Sequence, residues 1–238
     1  MTLISLVDAA IRVPGEKPGG AKPLLTHVSL EVGSGETVAI TGRSGSGKST
    51  LLYGLGLLLP FEHGSYSVNG VKALGLSRFA AARLRGNSIG FVFQDAALIP
   101  ELSVAQNVML PLSYAGHLDG AARAQRSARA LDMVGLEGFE SRNVQSLSGG
   151  EQQRVGIARS LVHQPIIVLA DEPTGALDPE TAEEIVDVLV QSAAEANAAL
   201  VIVTHDPIVA ARMQRRVHIH DGELCEQTTA SARTGRET

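Results

Sequence analysis

The chain predicts an α/β fold: a parallel-sheet core covered by helices, an antiparallel β subdomain, and a helical lobe inserted into the core. Three observations carry this expectation. Four short apolar runs, Val38–Thr41, Ile89–Phe93, Ile166–Ala170 and Leu200–Thr204, are continuous rather than alternating, as strands buried on both faces are. Leu24–Val32, Ser65–Val68 and Val217–His220 read instead as half-exposed antiparallel strands, the last two running into the hairpin-turn pairs Asn69-Gly70 and Asp221-Gly222. Between Gln94 and Gln164 the composition is helical and no strand pattern stands out, the clearest segments being Ala121–Val134 and Gly150–Val162.

Taken from the amino terminus, Met1–Asp8 reads as a first strand, without the basic start and small-residue cleavage site of a signal peptide. The most apolar stretch, Leu51–Leu59, is interrupted by Gly54 and Gly56 and stopped by Pro60, far short of the roughly 20 residues a membrane span needs. One domain over 1–238 is expected. Its core and β subdomain take 1–94 and 165–225, the helical lobe 95–164, and a loose polar tail 226–238. A hydrophobic content of 44% is ample for a core. The net charge of -5, from 20 Lys+Arg against 25 Asp+Glu, argues against general nucleic-acid binding, and no nucleic-acid partner is expected. Cys225 is the single cysteine and can form no internal disulfide, which fits a reducing compartment, with the cytosol as default.

The first buried run leads into Gly42-Arg43-Ser44-Gly45-Ser46-Gly47-Lys48-Ser49-Thr50, which reads G-x-x-x-x-G-K-S-T. Glycines at 42, 45 and 47 let the backbone turn so that consecutive N–H groups converge on phosphate oxygens. Lys48 adds a mobile cation and Ser49 a hydroxyl for Mg²⁺. A Gly/Ser surface turn would need neither the lysine nor the Ser-Thr pair. This is a nucleotide phosphate cradle, and the fold expected around it is that of a P-loop NTPase.

A second buried run, Ile166–Ala170, delivers Asp171 and Glu172 to its end. Neighbouring residues of a strand point in different directions, so the two acids can take different tasks. Asp171 can hold the Mg²⁺ shell, and Glu172 can polarise the water that attacks a γ-phosphate. Alone, the pair could equally cap a following helix. Leu147-Ser148-Gly149-Gly150-Glu151 joins a polar turn to a helix start, where free N–H groups and the helix dipole make a second candidate anion site, or only a helix cap.

In this order and with these gaps, the cradle, Gln94, Leu147–Glu151, the strand ending in Asp171-Glu172, Gly175-Ala176-Leu177-Asp178 and His205 resemble the nucleotide-binding subunit of an ABC transporter. The likeness runs from roughly Val7 to Glu226. Phe91–Gln94, Asn107–Leu112 and Ala170–Asp178 are similar to the MacB/LolD/FtsE branch, whose members work with FtsX-like permeases. The resemblance implies an ATPase acting with ATP and Mg²⁺ as a head-to-tail dimer with a second copy of itself. Ser148, Gly149 and Gly150 of one copy would cover ATP on the cradle, residues 42–50, of the other. It also implies that Gln94 touches Mg²⁺ and the attacking water, that His205 contacts the γ-phosphate, and that Asp178 organises the dimer contact. The chain would then sit on the cytoplasmic face of the membrane through a separate FtsX/MacB-like permease, in an exporter or extrusion system. An FtsE-like mechanotransmitter has the same chemistry; an ABC protein of DNA repair would insert coiled coils or zinc modules, and here the interval lacks heptads and cysteine.

One departure stands out. The family usually places an aromatic residue near the end of the first strand to stack on adenine, but here Ile11-Arg12-Val13-Pro14 occupies that stretch. Adenine is expected on apolar surface at Val13, with weaker base discrimination. Arg123, Arg126 and Arg129 line one side of a predicted helix and read as a solvated stripe, with lipid head groups or a permease loop as alternatives. Ala96-Ala97-Leu98-Ile99-Pro100 is apolar for a loop, and reads either as core or as a groove for the permease's coupling helix.

Overall fold

The computed structural model describes residues 1–12, 24–114 and 118–226 and contains two sheets. The first is antiparallel. It comprises β1 (Thr2–Ile11), β2 (Leu25–Gly33), β4 (His63–Val68) and β5 (Val71–Lys72), in the order β2-β1-β4-β5. The second is built from β3 (Thr37–Gly42), β6 (Ile89–Val92), β7 (Ile167–Asp171), β8 (Ala199–Val203), β9 (Arg215–His220) and β10 (Glu223–Glu226), in the order β10-β9-β3-β8-β7-β6. All neighbours in that sheet run parallel except β10, which returns antiparallel to β9.

The continuous apolar runs follow from this layering. Side chains alternate across a strand, and the parallel sheet has a core on each face. Val168, Ala170, Leu200 and Ile202 enter one core, while Ile167, Leu169, Val201 and Val203 enter the other. The first core is closed by helices, including α5 (Gly149–Leu161) and α6 (Pro179–Glu195). The second is closed by the antiparallel sheet and by α1 (Lys48–Leu55), through Leu51, Leu52 and Leu55. Burying each such Val, Leu or Ile contributes roughly 1.5–3 kcal/mol.

Two readings of the sequence need refinement. Val217–His220 was expected to be antiparallel: β9 is so toward β10, across Asp221-Gly222, but pairs parallel with β3, from Val38↔Arg215 to Gly42↔Ile219. Its alternation reflects position, next to the sheet edge with one face less covered, and not direction. The first strand also runs past Asp8 to Ile11: Asp8 takes a left-handed φ of 47°, and the register with β2 and β4 shifts around it, so a bulge absorbs the break. Both hairpin pairs turn as read, with positive φ at Asn69, Gly70, Asp221 and Gly222.

Helices α3 (Val104–Met109), α4 (Gly120–Met133) and α5 fall in the interval read as helical, and the last two lie one residue from the segments identified there. α2 (Arg78–Ser88) precedes β6, and α7 (Pro207–Ala211) joins β8 to β9. Among the described residues no helix is long and apolar enough to cross a membrane. The tail 227–238, Val13 and His117 lie outside the described residues.

Candidate nucleotide site

Parallel strands bring their carboxyl ends to one edge, where open α/β sheets bind ligands. β3 ends at Gly42, β6 leads to Gln94, β7 ends at Asp171, and β8 leads through Thr204 to His205, so four distant segments meet there.

The loop after β3 is shaped by its glycines. Gly45 and Gly47 have φ of 76° and 98°, left-handed values, and Gly47 is the N-cap of α1. A Cβ at Gly47 would stand 3.0 Å from Leu24 Cδ2, and one at Gly42 would stand 2.6 Å from Ser46 Oγ. Ser46 Oγ is buried and has no hydrogen-bond partner among the described residues. An orphaned hydroxyl inside a glycine loop at a helix amino terminus fits a phosphate acceptor. Lys48 is only 8% exposed, and its Nζ donates to the carbonyls of Gly42 and Arg43 at 3.0 and 3.1 Å, so its cation is held under the loop. Arg43, Ser44 and Gly45 form the exposed rim, while Thr50 lies half-buried in the first turn of α1.

The oxygen donors meet below the loop. Ser49 Oγ donates to Asp171 Oδ1 at 2.8 Å, and Tyr53 Oη donates to Oδ2 at 2.8 Å. Burial and then the Asp171 carboxylate push the Tyr53 phenol up to about 12. Hydroxyl and carboxylate oxygens suit Mg²⁺, which keeps waters and substrate oxygens as its other ligands. Among the described residues no three His, Cys, Asp or Glu side chains are grouped so as to hold a metal ion by themselves. Tyr53, one turn along α1 from Ser49, was not singled out from the sequence; its signal is the spacing of four that puts both on one helix face.

Glu172 departs from the strand, with a left-handed φ of 44° and its N–H bonded to Val203 O. The turn sends its carboxylate to His205, whose Nδ1 donates to Oε2 at 2.9 Å and whose backbone N–H donates to the same oxygen at 3.4 Å. Gln94 stands against the same turn: a Cβ at Gly175 would fall 2.9 Å from Gln94 Nε2. The cleft beside the loop measures about 640 Å³, and its walls include Arg43, Lys48, Glu172, His205, Arg216 and His218. The last two, on β9, also escaped the sequence reading. Thr41 Oγ1 ties β3 to that strand through Val217 O and His218 Nδ1.

Ser148, Gly149 and Gly150 are not in this cleft. Ser148 caps α5 in a reciprocal capping box, its Oγ accepting from Glu151 N and its N–H donating to Glu151 Oε2. A Cβ at Gly150 would lie 2.6 Å from Thr181 Cγ2, and one at Gly149 would lie 3.3 Å from Leu177 Cδ2. The turn therefore forms one surface with Asp178, the N-cap of α6, whose carboxyl is held below the usual range by hydrogen bonds from Thr181.

A family model described as ABC transporter matches residues 25–175, more than half of the chain. The chain belongs to the ABC transporter family. The lipoprotein-releasing system ATP-binding protein LolD of Bordetella pertussis is 49% identical over 84% of this chain and 87% of its own length. The probable export ATP-binding/permease protein MacB of Pseudomonas entomophila is 43% identical over 85% of this chain, which spans 30% of that longer protein. A solved ATP-binding cassette, dimeric in a post-hydrolysis state with ADP and Pi, superposes with a TM-score of 0.84 at 37% identity, covering 96% of this chain and all of that one. This ABC protein is an ATPase cassette of the LolD/MacB branch.

Its remaining features separate into inward and outward parts. In the 96–100 loop, Ala96 is buried and Ile99 is 41% exposed. Arg159 donates to the carbonyls of Ala96 and Ala97, and Asn107 fixes Ile99 through both its N–H and its carbonyl. The arginine stripe on α4 is only partly solvated: Arg129 is exposed, whereas Arg123 and Arg126 are half-buried and Arg123 Nε is enclosed. Ile11 is fully buried and Arg12 pairs with Glu62, so neither supplies an apolar platform for a base.

Proposed function

We propose that this chain powers a separate membrane permease of the MacB/FtsX type by closing and opening as a head-to-tail pair around ATP. The observation that carries the proposal is that Ser148–Gly150, packed beside Leu177 and Thr181 next to Asp178, are not among the walls of the cleft that holds the glycine loop, Lys48 and Glu172. A two-fold axis brings the Ser148–Gly150 turn of one copy over the glycine loop of the other, twice. The dimeric cassette among the similar structures supports this arrangement, and the names of the LolD and MacB relatives favour transport over mechanotransmission. On this reading the protein works at the cytoplasmic face of the membrane, held there by the permease.

In this mechanism the loop N–H groups, residues 42–50 and Lys48 bind the phosphates of ATP. Ser49, Asp171 and Gln94 would hold Mg²⁺, which when bound neutralises charge developing on the phosphate oxygens. Glu172 takes the proton of the attacking water, and His205, donating to Glu172, fixes the direction of that carboxylate. Ser148, Gly149 and Gly150 of the second copy present the amino terminus of α5 to the transferred phosphate, with Asp178 beside them.

The test is nucleotide-dependent association of Glu172→Gln. Size-exclusion chromatography should give a dimer with ATP and a monomer with ADP, while steady-state turnover falls by roughly 10²–10⁴, the usual contribution of a positioned general base. A monomer in both nucleotides would remove the pairing model, and near-normal turnover would remove Glu172 from its role.

A further inference from the structure

From His63 to Gln94 the chain contains no aspartate or glutamate, although the whole protein carries a net charge of -5. The same stretch holds Lys72, Arg78, Arg83 and Arg85, three of them on α2. That helix has two distinct sides. With 3.6 residues per turn, Arg78, Phe79, Ala82, Arg83, Gly86 and Asn87 share one side, and all of them are exposed. The other side, including Leu84, Arg85 and Ser88, is half-buried or buried. Leu84 packs on the core beneath, and Arg85 turns inward to donate to Leu57 O at 2.9 Å.

The outward side is chemically unusual. Phe79 is 80% exposed, with Arg78 beside it in sequence and Arg83 one turn further on, and Ala82 and Gly86 leave the ground around it flat. Leu58, which follows Leu57 next to the inward Arg85, is 44% exposed. Neither Arg78 nor Arg83 has an ion-pair partner among the described residues. A partner helix would cover an apolar stripe, and on this exposed side Phe79 is the single large apolar side chain. A projecting ring between two unpaired guanidinium groups instead matches a headgroup boundary, where the ring enters the acyl edge and the cations meet phosphates.

We propose that the outer face of α2 rests on a membrane leaflet rich in anionic lipid, with Arg78 and Arg83 on the headgroup phosphates and Phe79 inserted between them. The contact is weak and reversible, since one short helix face cannot anchor a protein, and it sets the orientation of the cassette under the membrane. It is independent of the nucleotide site and of the pairing model.

Co-sedimentation of the full chain with vesicles tests it. Vesicles of equal parts phosphatidylglycerol and phosphatidylcholine should bind the protein at low salt, and phosphatidylcholine alone should not. Arg78→Glu with Arg83→Glu should lower binding by about thirtyfold or more, Phe79→Ala should lower it by several-fold at any salt, and ATP hydrolysis in solution should be unchanged in all of them. Arg126→Glu with Arg129→Glu on α4 should bind like the parent protein. Absence of binding to the anionic vesicles, equal binding to the neutral ones, or loss on the α4 changes instead of the α2 changes would overturn the proposal. So would α2 variants that bind vesicles normally but lose stimulation by a reconstituted permease, because the face would then serve a protein partner.

Discussion

At the scale of single residues, the site depends on side chains that hold other side chains. Asp171 is oriented by two hydroxyl groups, Ser49 and Tyr53, one on each carboxylate oxygen. Tyr53 reaches the site through its hydroxyl bond to Asp171, so its contribution is to fix the carboxylate that would face Mg²⁺. Removing such an outer partner typically costs 10–100-fold in metal affinity. Tyr53→Phe is therefore expected to raise the Mg²⁺ concentration needed for half-maximal ATPase activity by about tenfold, with little change in turnover at saturating Mg²⁺. Magnesium titration of the steady-state rate is the measurement, and an unaltered midpoint would reduce Tyr53 to a packing role. The acids, the glycines, Lys48 and His205 were legible because each ends a strand or fills a motif position. Arg216 and His218 were not, because their relevance depends on which strand lies beside which, and no local pattern states that; Tyr53 was passed over although its spacing of four from Ser49 puts both on one helix face.

Elements show where local reading succeeds and where neighbours decide. The buried strands β3, β7 and β8 declared themselves by continuous apolar sequence, since both their faces meet a core. β9 did not reveal its direction, because a strand next to the edge alternates whichever way it runs. The packing of β6 on α5 gives two tests. Gly90 lies where a Cβ would stand 2.2 Å from Ser160 O, a backbone atom that cannot turn aside. Gly90→Ala should cost about 1–3 kcal/mol, seen as a lower midpoint in urea unfolding; an unchanged midpoint would mean that α5 shifts freely. His163, just past the end of α5, has its Nε2 bonded to Ile89 O on β6 and its Nδ1 enclosed without a partner among the described residues. Burial holds its pKa below the ordinary imidazole value, and the bond to Ile89 O only partly opposes this. The folded state thus takes up a proton less readily than the unfolded chain. The associated stability is complete above the unfolded value of about 6.5 and is lost as pH falls below it. His163→Leu should lose less stability than the parent between pH 7.5 and pH 5, and parallel losses in the two proteins would dismiss His163 as the source.

At the scale of the whole molecule, the decisive feature is what one chain does not bring together. In the proposed pairing the glycine loop of one copy meets the Ser148 turn of the other, and that requirement can be examined by complementation. Lys48→Ala damages the loop and leaves the turn intact; Ser148→Arg damages the turn and leaves the loop intact. Each variant alone should be nearly inactive. Mixed in equal amounts, half of the pairs are hybrids, and each hybrid contains one undamaged site, made of the Ser148→Arg loop and the Lys48→Ala turn. If sites work independently, the mixture should recover about a quarter of the parent activity. Recovery below that fraction, but above either variant alone, would mean that a single intact site fires more slowly when its companion site is damaged. No recovery at all, with both proteins folded and nucleotide still bound by Ser148→Arg, would rule out a shared site that works independently of its companion.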